Sequence, residues 1–258
     1  MSTDRTDYFK AGTRAGLLFE RLDLCRLPAH VAVIMDGNGR WAKKRNKPRV
    51  EGHRAGSKSV REVVEASAHL GIRYLTLYAF SRENWQRPQF EVSTLWKLLV
   101  EYLRNNDKVL VDNNIRLTAI GRMEELPDNV REELERVIHL TRGSDGLTVQ
   151  MALSYGGRTE IVDAVKKLVR RSDFDVDSLD EERFAEMLYT GKSPDPDLLI
   201  RSSGEMRISN FLLWQIAYTE IWITSVLWPD FRREHFLEAL IDYQNRDRRF
   251  GGIDAQNR

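Results

Sequence analysis

The sequence predicts an α/β protein, a single domain with a central six-stranded, mainly parallel sheet surrounded by helices. Three observations carry this. Six short runs are almost continuously apolar or β-branched, the composition of strands buried on both faces. Stretches with apolar residues at helical spacing separate them, and such alternation favours parallel pairing through helical crossovers. Four of the runs open into loops carrying Gly, Ser, Arg and acids. In sheets of this kind ligands gather outside the carboxyl ends of the strands.

Along the chain, residues 1–27 form an N-terminal extension whose apolar patch, Ala15-Gly16-Leu17-Leu18-Phe19, is too short and interrupted for a signal peptide. The domain proper is expected over 28–252, with a tail at 253–258. The first strand, about 31–35, stops at Asp36-Gly37-Asn38-Gly39-Arg40. Val60, Val63, Val64, Ser67, Ala68 and Leu70 mark one face of a helix that ends at Gly71. A strand at about 74–80 runs into Ser81–Arg87, and Leu95, Leu98, Leu99, Tyr102 and Leu103 mark the next helix. After a strand at about 115–120, Pro127-Asp128 starts a helix with Val130, Leu134, Val137 and Ile138 inward. The strand at about 147–153 opens into Ser154-Tyr155-Gly156-Gly157-Arg158, and Ile161, Val165, Leu168 and Val169 mark the helix behind it. The stretch 171–182, rich in Asp, Ser and Glu, is the expected loop excursion. A strand at about 197–201 leads into Arg201–Ser209, one at about 221–224 follows Glu220, and Phe236, Ala239, Leu240 and Tyr243 mark a last helix.

The 258 residues hold forty basic and thirty-nine acidic side chains, so no global field favours nucleic acid. The single cysteine, Cys25, excludes an internal disulfide and fits a reducing compartment. No run approaches the length that crosses a bilayer. These features lead to the expectation of a cytoplasmic protein, compatible with peripheral association at the inner face of the plasma membrane. Five scattered histidines and one cysteine argue against zinc.

The most informative run is Asp36–Arg40. Its glycines let the backbone approach a ligand, its N–H groups can cradle phosphate oxygens, and Arg40 can pair with them. A carboxylate beside such a site repels its ligand unless a cation lies between, which implies Mg²⁺. Arg40, Arg49, Arg87, Arg201 and Arg207 lie in or near the ligand-edge loops, where guanidinium groups bind phosphate bidentately. His53 could donate to a phosphate or merely support a helix start. Glu220 is either a turn acid or a second metal-facing carboxylate, and Trp41 and Trp85 are either core or site. Gly52–Ser59 is a near miss for a P-loop, with Ser57 where its second glycine belongs. Asp173, Asp175 and Asp177 fail as a calcium loop, with Ser178 and Phe184 at the positions needing Gly and Glu.

Taken together, His30–Trp41, Gly52–Gly56, Leu77–Trp85 with Arg87-Pro88, Tyr155–Arg158, Asp197–Arg201 with Ser203–Glu205, Arg207–Gln215 and Leu227–Phe231 closely resemble the cis-prenyltransferases. The likeness is in particular to the bacterial undecaprenyl diphosphate synthases (isoprenyl transferases), and it extends to the terminal Arg249-Phe-Gly-Gly252. The resemblance implies a homodimeric, Mg²⁺-dependent enzyme that condenses isopentenyl diphosphate repeatedly onto an allylic diphosphate such as farnesyl diphosphate. Each new double bond would be cis, and undecaprenyl diphosphate, a lipid-carrier precursor for cell-wall synthesis, is the default product. By matching position, Asp36 would be the catalytic and metal-associated carboxylate and Asn84 the proton acceptor. Gly37, Asn38, Gly39, Arg40 and Trp41, with Arg49 and His53, would hold the allylic diphosphate. Ser81, Arg82, Glu83, Trp85 and Arg87 would contact substrate, and Arg201, Arg207, Ile208 and Ser209 would hold the isopentenyl diphosphate. Glu220 would complete the magnesium site, and the C-terminal segment would reach toward the partner subunit. Helices near 56–70 and 91–110 are candidate walls of a hydrophobic tunnel. A non-catalytic subunit of a prenyl-synthesising complex, or a nucleotide-binding α/β module, are the competing readings; the first typically lacks the Asp-Gly-Asn-Gly-Arg loop kept here.

Overall fold

The computed structural model describes residues 5–172, 174–191 and 193–246. The C-terminal Arg249–Gly252 match, the tail at 253–258 and Asp173 of the rejected calcium loop lie outside the described residues. Six strands, β1 (His30–Ile34), β2 (Tyr74–Ser81), β3 (Arg116–Ile120), β4 (Thr148–Tyr155), β5 (Leu198–Arg201) and β6 (Glu220–Ile223), form one sheet in the order β3-β4-β2-β1-β5-β6. Every pairing is parallel. The order turns at β1, which has β2 on one side and β5 on the other. A reversal of this kind opens a crevice at the strands' carboxyl ends.

The helices are α1 (Arg5–Tyr8), α2 (Arg14–Phe19), α3 (Asn38–Lys44), α4 (Arg49–Leu70), α5 (Gln89–Asp112), α6 (Asp128–Leu140), α7 (Gly157–Val169), α8 (Glu181–Met187) and α9 (Arg233–Gln244). Prolines stand just before α4, α5 and α6, where a missing N–H costs nothing. Gly71 ends α4 in the left-handed region, returning its N–H to the last turn.

Alternate residues of β1 serve opposite faces, as a strand's period of two requires. Val31 and Val33 join the main core, which includes residues of α4, α5, α6 and α9, while Ala32 and Ile34 join a second cluster with Tyr155, Leu199 and Phe211. Phe9, Ala15, Leu18 and Leu22 are buried in the main core, and Tyr8 stacks 4.1 Å from the His69 ring. Residues 5–27 are therefore built into the domain and are no appendage.

Two expectations change. On α7 the buried positions are Gly157, Glu160, Ala164 and Leu168, whereas Val165 and Val169 face outward. Glu160 takes the inward place because Tyr155 and Gln215 donate to it. The expected loop at 171–182 contains a 3-10 turn, Val176–Ser178, and the start of α8.

Candidate functional site

The chain leaves β1 and turns at Gly37, whose φ of 104° is a glycine conformation. A Cβ there would also lie 2.9 Å from the Ser203 Cβ, so the loop after β1 lies directly against the loop after β5. Ser202 fastens the two: its Oγ accepts from Asp36 N at 2.9 Å and donates to Asp36 O at 2.7 Å.

This geometry delivers the Asp36 carboxylate to two arginines. Its Oδ2 accepts from Arg201 Nη2 at 2.9 Å and from Arg40 Nη2 at 3.1 Å, and its Oδ1 from Gly37 N at 2.6 Å. Burial alone would raise its pKa, but hydrogen bonds from Arg201, Ser203 and Gly37 hold it below the usual carboxylate value, so it is ionised. Arg201 closes β5 with its side chain only 4% exposed, and it also donates to Ser209 Oγ at 2.8 Å and to the Arg207 carbonyl. Glu205 bridges Arg40 at 3.0 Å and Arg207 at 2.5 Å. Asp36, Arg40, Arg201 and Arg207 thus form one connected cluster. Ser154, Ser203, Ser209, Asn210 and Leu212, all in these rim loops or at the end of β4, take positive φ without being glycine. Strain of that kind persists only where the surroundings impose it, typically around sites.

Beside this cluster a cavity of about 220 Å³ opens between α4 and α5. Its polar end carries Asp36, Gly37, Asn38, Gly39, Arg49, His53, Asn84 and Arg87. Its apolar end is walled by Val60, Leu77, Leu95, Leu98, Leu99 and Met151. Of the residues read as marking α5, Leu103 therefore joins Trp96 and Val100 in the core, while Leu95, Leu98, Leu99 and Tyr102 face the cavity. His53 is half-buried with its Nε2 shielded and unpartnered, and loss of solvent, then Arg87 and Arg49, push it down to about 4, so its imidazole is neutral at pH 7.

The remaining expected site residues lie outside the cavity lining. Trp41 donates to Asp230 at 2.7 Å, with the Arg45 guanidinium 4.2 Å over its ring. Ser81 and Asn84 close a capping box at the start of the Arg82–Gln86 turn. Arg82 turns to both oxygens of Glu125 at 2.6 Å, and Trp85 donates to Ser154 Oγ at 2.9 Å. Glu83 accepts from Asn210 at 2.9 Å, and Ile208 packs on the second apolar cluster.

Glu220 requires a correction. It opens β6, in register with Leu198 and through it with Val31, and it pairs with Arg246 at 2.7 Å. Asp36 lies five residues beyond Val31, roughly 16 Å along the strand direction at about 3.3 Å per residue. Within one chain the two carboxylates occupy opposite rims and do not share a metal. The Tyr155–Arg158 loop also serves packing: a Cβ on Gly157 would lie 2.7 Å from the Leu213 side chain.

Among the described residues no group of three or more His, Cys, Asp or Glu side chains converges. Mg²⁺ is usually held by one or two carboxylates together with substrate phosphates. The lone ionised Asp36 fits a metal that arrives with a diphosphate, and does not fit a preformed cage.

Four contributors escaped the sequence reading. Glu91, its side chain 9% exposed, pairs with Arg87 at 3.1 Å and Arg49 at 3.5 Å, presenting both to the cavity. Its spacing of four from Arg87 across Pro88 was the available signal. Glu205, Ser202 and Asn210 carried none beyond proximity to arginines.

The Prenyltransf family model, undecaprenyl diphosphate synthase, matches residues 34–251. The chain is 54% identical to the isoprenyl transferase of Heliobacterium mobile over 92% of both chains, and 49% identical to that of Bacillus subtilis over 88% of both. Among solved structures it is similar to lavandulyl diphosphate synthase from Lavandula x intermedia in complex with dimethylallyl diphosphate, with a TM-score of 0.86 and 37% identity over 88% of this chain and 99% of that one. It is also similar to a probable undecaprenyl diphosphate synthase from Campylobacter jejuni, with a TM-score of 0.74 and 35% identity over 87% and 99%.

Proposed function

The chain belongs to the undecaprenyl diphosphate synthase family and is a prenyltransferase that elongates prenyl chains in cis; on that premise we propose which residues do the chemistry and on which substrates. The substrates are isopentenyl diphosphate and an allylic diphosphate, farnesyl diphosphate by preference, and the product is undecaprenyl diphosphate, supplied to cell-wall synthesis. The observation that carries this reading is the Asp36–Arg40–Arg201 cluster at the mouth of a cavity whose far end is apolar.

In the reaction the allylic C–O bond breaks and diphosphate leaves with the electron pair. The isopentenyl double bond supplies the electrons of the new C–C bond, and a proton is then lost from the carbon beside the resulting cation. Arg49 and Arg87, held by Glu91, are placed to bind the allylic diphosphate with Gly37–Arg40. Arg201, Arg207 and Ser209 are placed to bind the isopentenyl diphosphate. Fixing both substrates in line removes an entropic barrier of up to roughly 7–11 kcal/mol. Neutral His53 donates a hydrogen bond to a diphosphate oxygen without adding charge. Asn84 orients the departing proton; a neutral amide cannot keep it, so diphosphate or water carries it away. Asp36 would hold Mg²⁺, which when bound neutralises charge building on the leaving group. The apolar wall from Val60 to Leu99 keeps water from the growing chain.

Two further parts of the reading are proposals. Val162, Val165 and Val169 leave an exposed apolar face on α7 that suits a second copy in a homodimer. A cytoplasmic location, peripheral to the inner face of the plasma membrane, is consistent with a free exposed Cys25 and with the absence, among the described residues, of a helix long and apolar enough to span a membrane. The deciding experiment incubates the purified chain with Mg²⁺, farnesyl diphosphate and labelled isopentenyl diphosphate and weighs the product. A fifty-five-carbon diphosphate is expected; no prenyl product from the chain alone would defeat the proposal in favour of a non-catalytic subunit.

A further inference from the structure

The two loops assigned to different substrates meet at one side chain. Asn210 Nδ2 donates to Glu83 Oε1 at 2.9 Å, its Oδ1 accepts from Arg158 N at 2.9 Å, and its backbone carbonyl accepts from Gly157 N at 2.7 Å. Its φ is 61°, and a Cβ on Gly156 would lie 2.8 Å from Nδ2, so the glycine makes room for the amide. On one side, the next residue back is Ser209, whose Oγ accepts from the Arg201 that pairs with Asp36. On the other, the residue after Glu83 is Asn84, in the cavity.

We propose that Asn210 is a positioning residue that ties the turn carrying Asn84 and Arg87 to the turn carrying Arg207 and Ser209, setting the distance between the two bound substrates. Capping α7 is a simpler task, and it needs only the Oδ1 and carbonyl contacts. The bond to Glu83 adds nothing to the cap and reaches a different loop. Since the two substrates must meet in line, a small slip between the loops acts on the rate of joining more than on folding. The inference rests on the prenyl-transfer reading above.

The test uses Asn210→Gly, Asn210→Asp, and Asn210→Asp combined with Glu83→Gln, all in the full-length chain. Asn210→Gly keeps the left-handed backbone and the carbonyl bond but loses both the tie and the Oδ1 cap, so it is read against Asn210→Asp, which retains the cap. Asn210→Asp keeps the cap but sets two carboxylates against each other. Each single variant is expected to lower kcat/KM for isopentenyl diphosphate by about ten- to a hundredfold. The Asn210→Asp deficit is expected to shrink as pH falls and one carboxyl takes a proton. In the double variant the new amide donates to the new carboxylate, so the tie is remade with its polarity reversed. The net charge is restored, and kcat/KM is expected to rise well above that of Asn210→Asp alone. Melting temperatures measured alongside separate this from lost fold. Full activity in Asn210→Gly, or an Asn210→Asp deficit untouched by both pH and Glu83→Gln, would overturn the proposal. A wild-type chain that forms no prenyl product removes the underlying reading instead.

Discussion

Removing Asp36 tests the electrostatics of the site in the free protein before any substrate is added. Asp36→Ala strips the carboxylate from Arg201, whose side chain is almost wholly buried. With charge centres about 4 Å apart, the attraction lost is about 4 kcal/mol at an effective dielectric of about 20. Arg201 keeps Ser209 Oγ and the Arg207 carbonyl as acceptors, and Asp36 itself is about one-third exposed. The net cost is therefore nearer 2–3 kcal/mol, below the usual range for breaking a fully buried pair. For a chain of this size that lowers the melting temperature by roughly 4–12 °C. Inorganic pyrophosphate without metal should bind the variant at least as well as wild type, because a repelling carboxylate is gone, and should recover the lost stability by mass action. Turnover should still fall by about 10²–10³, the cost of one preorganised electrostatic stabiliser. Differential scanning calorimetry with and without pyrophosphate, together with product assays, reads all three. A variant with wild-type melting temperature and wild-type turnover would refute the assigned role of Asp36.

Gly52→Ala places a Cβ 2.0 Å from the Asn38 carbonyl, so α3 must move off α4; a loss of about 1–3 kcal/mol is expected in urea unfolding, together with reduced turnover. Leu99→Trp fills the apolar end of the cavity and should shorten the product by one or more five-carbon units, read by mass spectrometry. His30 is held down to about 4 chiefly by burial, so the unfolded chain takes up its proton first as pH falls. Its contribution to stability is complete above about 6.5 and about 3 kcal/mol smaller near pH 4. Over that window His30→Gln should show a shallower pH dependence in urea midpoints. Val165→Lys charges the exposed face of α7 and should yield monomers in analytical ultracentrifugation, while a persisting dimer would place the interface elsewhere.

Strand identity, order of elements and the arginine–carboxylate cluster were legible because they depend on local chemistry. An apolar run that halts at Asp36-Gly37 or at Arg201-Ser202 marks the exit of a buried strand, and exits of parallel strands share a rim. Glu220 was misjudged for the complementary reason. It stands at a strand entrance, where the carboxyl-end rule does not look for ligands, and its metal role rested on the resemblance alone. Val165 and Val169 mark α7 by their apolarity yet face outward, because hydrogen bonds from Tyr155 and Gln215 draw Glu160 to the inward face. Gly156-Gly157 looked like a ligand loop since room for a neighbouring chain segment and room for a phosphate demand the same residue. Ion pairs such as Arg87–Glu91 and Arg82–Glu125 decide whether an arginine faces the cavity, and that choice appears only once the fold is formed.

The indole of Trp228 donates to the Gly56 carbonyl on α4 at 3.1 Å, and its backbone N–H donates to the Asp36 carbonyl at 3.0 Å. A Cβ on Gly56 would meet that indole at 2.9 Å and the Asn38 amide oxygen at 2.6 Å. Enlarging this position to trim the pocket would thus disturb the reaction centre through a shared brace. Attempts to retune product size have freer scope on the α5 wall, where bulk can grow without pushing on Asp36.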